Sequence, residues 1–179
     1  NEANYVPPYL AEVDPWMGET AADNRYVTVS GDDILPDMAL GRLPVQTVID
    51  ANSIVEKILV RYTNLTGDWA TKALFVSGSN DPSAGDFPQI SNSIISNYFN
   101  PGDLLVDKIY YGSGDYVSGS IASQAVYQAL KDGRRIVHFT GHSNPYSWFG
   151  DINVSNPGGT IMFTRSGIPS LENYGKFPI

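Results

Sequence analysis

The 179-residue sequence contains no cysteine and only two histidines, His138 and His142. The lack of cysteine excludes disulfide bonds, cysteine-ligated zinc and a thiol nucleophile within these residues. Two histidines four positions apart, on a predicted strand and the loop after it, also argue against a histidine-rich zinc site.

Basic residues are few as well. The chain has 11 Lys and Arg against 19 Asp and Glu, so its formal net charge is −8. An acidic surface does not attract nucleic acids or anionic membranes, and we expect neither as a partner. No run approaches ~18 consecutive apolar residues, so the sequence predicts no membrane-spanning helix. The hydrophobic fraction of 42% is typical of a folded globular protein.

The first part of the chain has no clear periodicity. Three prolines, Pro7, Pro8 and Pro15, argue against a long helix there. Two β-prone runs, Tyr26–Ser30 and Met38–Leu40, are predicted as short strands. Between and after them lie the glycine, aspartate and proline residues that mark turns.

From Thr47 onward, helical and strand patterns alternate. Thr47 is predicted to cap a helix that runs to about Tyr62, with Asp50 in the capping-box region. The order strand, helix, strand, helix, strand then predicts an α/β fold with parallel strands and right-handed crossovers. The predicted strands are 73–77, 104–111 and 136–140, and the predicted helices are 90–99 and 118–130; an extended piece at 159–164 and a helical turn at 168–174 follow.

His142 lies directly after the strand Ile136–Thr140, beyond Gly141. In open α/β sheets the carboxyl ends of the strands carry the functional residues, and a histidine there can act as a general base. The alternative is a loop histidine that merely bonds a neighbour. His138, inside the strand, is predicted to be a core or sheet-face residue.

Four segments together resemble the gingipain-like cysteine peptidases, peptidase family C25. They are ILPDMALGRLPVQT, the helix with VEKILVRYTN, KALFVSG, and IVHFTGHS with a tryptophan nearby. The resemblance covers the chain from about Tyr26 to its end. It implies a caspase-like three-layer α/β sandwich with a mostly parallel sheet. Residues 1–46 would be the remnant of an N-terminal subdomain, and 47–179 a catalytic subdomain incomplete at its C-terminus.

The resemblance also implies a function: a cysteine-type endopeptidase that hydrolyses peptide bonds with a Cys–His dyad. His142 matches the family histidine. The cysteine is expected after a further strand that begins at Lys176–Ile179, so this fragment alone would be inactive. The expected partners are a protein or peptide substrate and the missing C-terminal part of the same precursor. An extracellular or cell-surface location is expected, and no cofactor is required.

A second hypothesis is a non-catalytic caspase-like binding or assembly domain of a secreted or surface protein. A serine hydrolase is disfavoured, because neither Gly78-Ser79 nor Gly119-Ser120 fits the G-x-S-x-G nucleophile elbow.

Further candidates surround His142. Gly141 and Ser143 are predicted to frame the oxyanion site; serine stands where the family often has glycine, but its backbone N–H remains. Asp86 is the preferred carboxylate to orient the imidazole, although it could instead cap the next helix, and Asp81 is more simply explained by turn chemistry with Pro82. Trp148 is predicted to contact substrate or to plug the loop.

A cluster of acidic residues precedes the first predicted helix. Asp32, Asp33 and Asp37 are predicted ligands for a structural calcium ion, which enzymes of the resembled family commonly bind. The alternative is that they serve turns and caps. Arg42 is predicted to be buried and paired with one of these aspartates.

Overall fold

The computed structural model describes residues 6–15, 18–43, 45–63, 65–99, 102, 104–152 and 157–176. The chain divides into two compact units, Asn1–Ile54 and Val55–Ile179. The boundary lies eight residues after the division expected at 46/47, and the assignment of the two parts as subdomains stays a prediction.

The first unit contains an antiparallel hairpin that the sequence patterns do not reveal. Strand β1, Leu10–Asp14, pairs with β2, Gly18–Ala21. A 3₁₀ helix follows at Asp23–Val27. Its presence makes the strand predicted at Tyr26–Ser30 wrong, and no strand forms at Met38–Leu40 either.

The reason for the first of these differences lies in the hydrogen bonds of the backbone. The N–H groups of Val29 and Ser30 both donate to Oδ2 of Asp37, at 2.7 and 2.9 Å. A side chain eight and seven residues further on thus takes the place of a neighbouring strand. The β-prone run is therefore folded as an irregular loop.

Helix α1, Val48–Thr63, begins as predicted. The N–H of Asp50 donates to Oγ1 of Thr47 at 3.1 Å, and the N–H of Thr47 donates to Oδ2 of Asp50 at 3.0 Å. This reciprocal pair satisfies two backbone donors that a helix start leaves without partners. The capping-box prediction is confirmed.

The second unit is built on a parallel three-stranded sheet. After a 3₁₀ turn at Asp68–Thr71 come β3, Lys72–Ser77, α2, Phe87–Tyr98, β4, Leu105–Tyr110, α3, Gly119–Asp132, and β5, Ile136–Thr140. The strand order is β4-β3-β5, and both pairings are parallel. The predicted α/β fold and its parallel pairing are confirmed.

Strand β3 is central because its side chains are apolar on both faces. Leu74 and Val76, both fully buried, belong to a cluster that includes residues of α3. Ala73 and Phe75 face the other way, toward partly buried residues of α2 such as Ile94 and Ile95. The sheet is thus covered by one helix on each face, which gives three layers.

The chain continues into a second, antiparallel sheet of three short strands. These are β6, Ser143–Asn144, β7, Ser147–Phe149, and β8, Ile161–Thr164, in the order β6-β7-β8. Strand β8 packs on α3, where the Tyr127 hydroxyl lies 3.0 Å from Oγ1 of Thr164. The extended piece predicted at 159–164 is confirmed in β8.

The last helical element of the described residues is a 3₁₀ helix at Arg165–Ser170, so the helical turn predicted at 168–174 begins earlier and ends before Leu171. The strand expected to begin at Lys176–Ile179 falls mostly on residues outside the described ones. Within the described part of the chain, no helix is both long and apolar enough to cross a membrane.

Truncating the core of β3 tests this architecture. Leu74 is fully buried, so Leu74→Ala is expected to lower the free energy of unfolding by about 2–5 kcal/mol, measured by urea denaturation. The matched control is Leu105→Ala on β4, whose residue is 64% exposed and which should cost less than about 0.5 kcal/mol. Equal losses at the two positions would contradict the described core.

Candidate active site

The carboxyl ends of β3 and β5 meet closely. The N–H of Gly78, just after β3, donates to the carbonyl of Thr140, the last residue of β5, at 3.0 Å. Gly141 follows Thr140, and a Cβ there would lie 2.9 Å from Cζ of Phe139 and 3.1 Å from the nitrogen of Gly78. Only glycine fits this close approach, and the chain then turns directly into His142.

His142 bonds a carboxylate from the neighbouring loop. Its Nε2 lies 2.7 Å from Oδ2 of Asp81, and the two side chains are 36% and 21% exposed. The imidazole also meets the ring of Phe87 edge-on, at a centroid distance of 5.4 Å. Among the described residues, its Nδ1 atom has no hydrogen-bond partner.

Asp81 is itself held in a tight turn. Its Oδ1 accepts from the N–H of Ser83 at 2.8 Å and from the Ser83 hydroxyl at 2.6 Å. Its backbone N–H donates to the Gly85 carbonyl, and its carbonyl accepts from the Gly85 N–H. The Ser83 hydroxyl, and after it the bond to His142, hold the pKa of the Asp81 carboxyl far below its usual range. Asp81 is therefore ionised at neutral pH.

The contact expected of Asp86 is made by Asp81 instead. Asp86 caps α2, where its Oδ1 accepts from the N–H of Gln89 at 3.0 Å. The physical reason is the turn at Asp81–Gly85, which folds the first aspartate toward the sheet edge and leaves the second to begin a helix. The turn and the contact with the histidine were alternatives for Asp81, and in the structure this residue does both.

His138 is on the sheet face covered by α2. Its Nε2 lies 2.7 Å from Oγ1 of Thr140, and its ring packs on Phe75 at a centroid distance of 5.0 Å. Burial lowers the pKa of this imidazole. The prediction of a sheet-face residue is confirmed.

Ser143 and Trp148 are paired in the small antiparallel sheet. Next to them the N–H of Phe149 donates to the carbonyl of His142 at 3.0 Å, which fixes the backbone that leads into Ser143. The predicted oxyanion role of Gly141 and Ser143 is not tested by these contacts and stays a prediction.

The Trp148 side chain is part of an aromatic stack. It lies parallel to Phe139 at a centroid distance of 4.8 Å and contacts Phe163 at 4.9 Å. This stack packs against the buried cluster beneath α3. This packing favours the interpretation that Trp148 fills the space beneath its loop. Contact of Trp148 with substrate stays a prediction.

A cavity of about 160 Å³ lies beside the imidazole. One wall is the loop after β3 and the other is the segment after β7, which sequence reasoning missed. The N–H of Ser79 donates to the carbonyl of Gly150 at 2.7 Å and joins the two walls. The lining residues are Ser79, Asn80, Asp81, Pro82, His142, Gly150, Asp151 and Ile152.

Gly150 is the residue from which the sequence could have indicated the second wall, the segment after β7. A Cβ on Gly150 would lie 2.5 Å from the ring of Tyr111, so the backbone passes directly against that ring. Glycine at the end of a short apolar run is a mark of such close approach.

Two of the three predicted calcium ligands, Asp37 and Asp33, accept hydrogen bonds from the backbone of turns. Oδ2 of Asp37 accepts from two backbone N–H groups, and Oδ1 of Asp33 accepts from Leu35 at 2.8 Å. In the part of the chain that the structure describes, no three acidic, histidine or cysteine side chains are grouped to hold a metal ion. Asp32, Asp33 and Asp37 therefore do not form a fitting ligand set, and calcium binding stays an untested prediction.

Arg42 differs from expectation in both partner and burial. It pairs with Asp23 at 2.5 Å, not with the aspartates of the predicted cluster, and also donates to the carbonyl of Val6. Its side chain is 39% exposed. The Asp23 carboxylate raises the pKa of the guanidinium further.

The depressed pKa of Asp81 predicts a pH-dependent stability. A carboxyl with a lowered pKa in the folded protein stabilises it above the unfolded pKa, about 4, and this contribution is lost as pH falls below that value. The wild-type protein should therefore be more stable than Asp81→Asn at pH 6, with a difference that shrinks below pH ~4. Urea denaturation of both between these conditions measures it.

Asp115→Asn is the matched control, because Asp115 is exposed in a loop. It should keep the wild-type dependence on pH. A difference between wild type and Asp81→Asn that stays constant as the pH falls would contradict the lowered pKa of the Asp81 carboxyl.

Comparison with known proteins agrees with the resemblance seen in the sequence. The family model described as "Peptidase family C25" matches residues 1–179, the whole chain. No curated protein and no solved structure matches it. The mixed α/β architecture, with helices on both faces of a parallel sheet, is compatible with the predicted caspase-like sandwich. The chain belongs to peptidase family C25.

Proposed function

We propose that this chain carries the catalytic histidine of a cysteine-type endopeptidase that works through a Cys–His dyad. Membership of the family supports a cysteine peptidase domain in general terms. The observation that carries the finer proposal is the 2.7 Å contact between Nε2 of His142 and Oδ2 of Asp81 at the carboxyl edge of the sheet.

This contact selects one form of the imidazole. An ionised carboxylate can only accept a hydrogen bond, so in the neutral ring the proton must be on Nε2. The lone pair is then on Nδ1, the nitrogen without a partner among the described residues. Nδ1 of His142 is therefore the proposed base, and Asp81 stabilises the imidazolium that forms, as the third member of a triad does.

The nucleophile must come from outside these 179 residues, since they contain no cysteine. We place it in a further part of the same precursor or in a second processed chain. His142 takes the thiol proton, and the sulfur forms a bond to the peptide carbonyl carbon. The imidazolium then protonates the departing amine as the C–N bond breaks, and water hydrolyses the thioester to release the acid and restore the thiol.

The negative charge on the carbonyl oxygen needs hydrogen-bond donors. The backbone N–H of Ser143, in the frame that Gly141 opens, is the proposed donor. Ser143 is exposed and follows His142 directly, so its amide belongs to the same short segment as the base.

The proposed substrate is a protein or peptide, as the family suggests. The proposal keeps the extracellular or cell-surface location that the resemblance implies, and it requires no cofactor.

Replacing the base tests the proposal in the full-length protein. His142→Ala should lower kcat/KM for peptide cleavage by about 10²–10⁴-fold, the usual contribution of a general base. Iodoacetamide should abolish the activity of the wild-type protein. The matched control is His138→Gln, which changes the other histidine of the chain, whose ring packs on Phe75 and whose Nε2 bonds Thr140 instead of a carboxylate. It should retain activity within about tenfold once circular dichroism shows a folded protein.

Peptide cleavage that survives both His142→Ala and alkylation would exclude the Cys–His dyad. If the full-length protein has no activity and no cysteine, the alternative of a non-catalytic caspase-like binding or assembly domain is favoured.

A further inference from the structure

We infer that Ser83 is a positioning residue: it holds the Asp81 carboxylate in the rotation that presents Oδ2 to His142, and so sets the tautomer of the imidazole. This inference deepens the proposed function and rests on it for its catalytic meaning. The contacts on which it depends are those of the turn Asp81–Gly85.

The orientation of the Asp81 carboxylate must be fixed by its hydrogen-bond partners. The torsion that turns the Asp carboxyl group has broad minima, so either oxygen can face a given partner over a range of angles. His142 supplies only one contact, at Oδ2. A single hydrogen bond leaves the plane of the carboxylate free to rotate about that contact.

Ser83 supplies the second point of attachment. Two donors of one residue converge on Oδ1 of Asp81, the backbone N–H at 2.8 Å and the hydroxyl at 2.6 Å. With Oδ1 occupied twice, Oδ2 is the oxygen left for the imidazole. The two oxygens are thus divided between a local partner two residues away and a distant partner 61 residues away.

The backbone keeps Ser83 in place. Asp81 and Gly85 exchange two hydrogen bonds, of 3.0 and 2.7 Å, and Gly85 adopts a φ of +132°, which L side chains rarely adopt. At the start of the loop, the bond from the Ser79 N–H to the Gly150 carbonyl anchors the chain. Backbone hydrogen bonds therefore hold the loop at Ser79 and close the turn that carries Ser83.

The Ser83 bonds also act on charge. Together with the bond to His142, they lower the pKa of a carboxyl that is already ionised at neutral pH, so Asp81 can only accept a hydrogen bond from Nε2. A carboxylate that cannot donate leaves the Nε2–H form as the only neutral tautomer compatible with the contact.

The experiment reads the tautomer directly. The full-length protein is prepared with ¹⁵N-labelled histidine, and two-bond ¹H–¹⁵N correlations are recorded at a pH where the imidazole is neutral, since they distinguish Nδ1–H from Nε2–H. The wild-type His142 should be in the Nε2–H form. The Asp81→Asn variant gives the reference spectrum of a ring without the carboxylate contact. Ser83→Ala should decrease the ratio of Nε2–H to Nδ1–H by about threefold to tenfold, the worth of one hydrogen bond. Ser83→Thr, which keeps the hydroxyl, should restore it.

Two controls separate positioning from a merely structural effect. Ser96→Ala removes an exposed hydroxyl that bonds the Ser93 carbonyl on α2, and it should leave the tautomer unchanged. Ser83→Gly is a second variant without the hydroxyl and should repeat the effect of Ser83→Ala. A wild-type tautomer ratio in both Ser83→Ala and Ser83→Gly, or no rescue by Ser83→Thr, overturns the inference.

The outcome is distinguishable from that of the proposed function, because the spectrum needs no catalysis. If the Ser83 variants leave the ring unchanged while His142→Ala is inactive, only this inference fails. If the ring changes but His142→Ala still cleaves peptides, the dyad fails and the positioning of Asp81 stands. With both correct, kcat/KM of Ser83→Ala falls by about threefold to tenfold and Ser83→Thr recovers it.

Discussion

The burial of β3 on both faces is the constraint on which the rest of the structure depends. Its run from Ala73 to Ser77 is almost entirely removed from solvent, and it pairs with a parallel strand on each side. In the observed register Ser77, at the end of β3, pairs with Thr140 at the end of β5, and this brings the loop after β3 beside the residues that follow β5. The meeting of Asp81 and His142 is therefore a result of the core, although neither residue belongs to it.

Two kinds of interaction define the site, and they act over different distances along the chain. The sheet brings His142 within reach of a loop 61 residues away, which is a long-range effect of packing. The turn at Asp81–Gly85 then fixes the orientation of the Asp81 carboxylate, through hydrogen bonds between residues two to four positions apart. The first determines which segments meet, and the second determines which oxygen and which nitrogen face one another.

This division explains what the sequence could predict. The apolar run at 73–77, the helical spacing after Thr47 and the position of His142 after its strand are local patterns, and the structure has the corresponding elements. The choice between Asp81 and Asp86 depended on a contact across the sheet, for which no local pattern exists. Asp86 is the carboxylate preferred from the sequence, whereas the fold of the turn brings Asp81 to the histidine and leaves Asp86 to cap α2.

The failures in the first unit have a related cause. The run Tyr26–Ser30 has the composition of a strand, but Asp37 satisfies its backbone donors. The hairpin of β1 and β2 has strands of only five and four residues, too short for alternation to be distinguished from chance. In both cases the partner of the backbone, and not the propensity of the residues, decided the outcome.

The bond between Ser79 and Gly150 has a mechanical consequence. It ties together the two walls of the cavity beside His142, so neither wall can swing outward alone without breaking a 2.7 Å hydrogen bond. With about 160 Å³ available, the cavity holds roughly five water molecules at ~30 Å³ each, or one small side chain. The spacing of the two walls beside His142 is therefore set by a single backbone hydrogen bond.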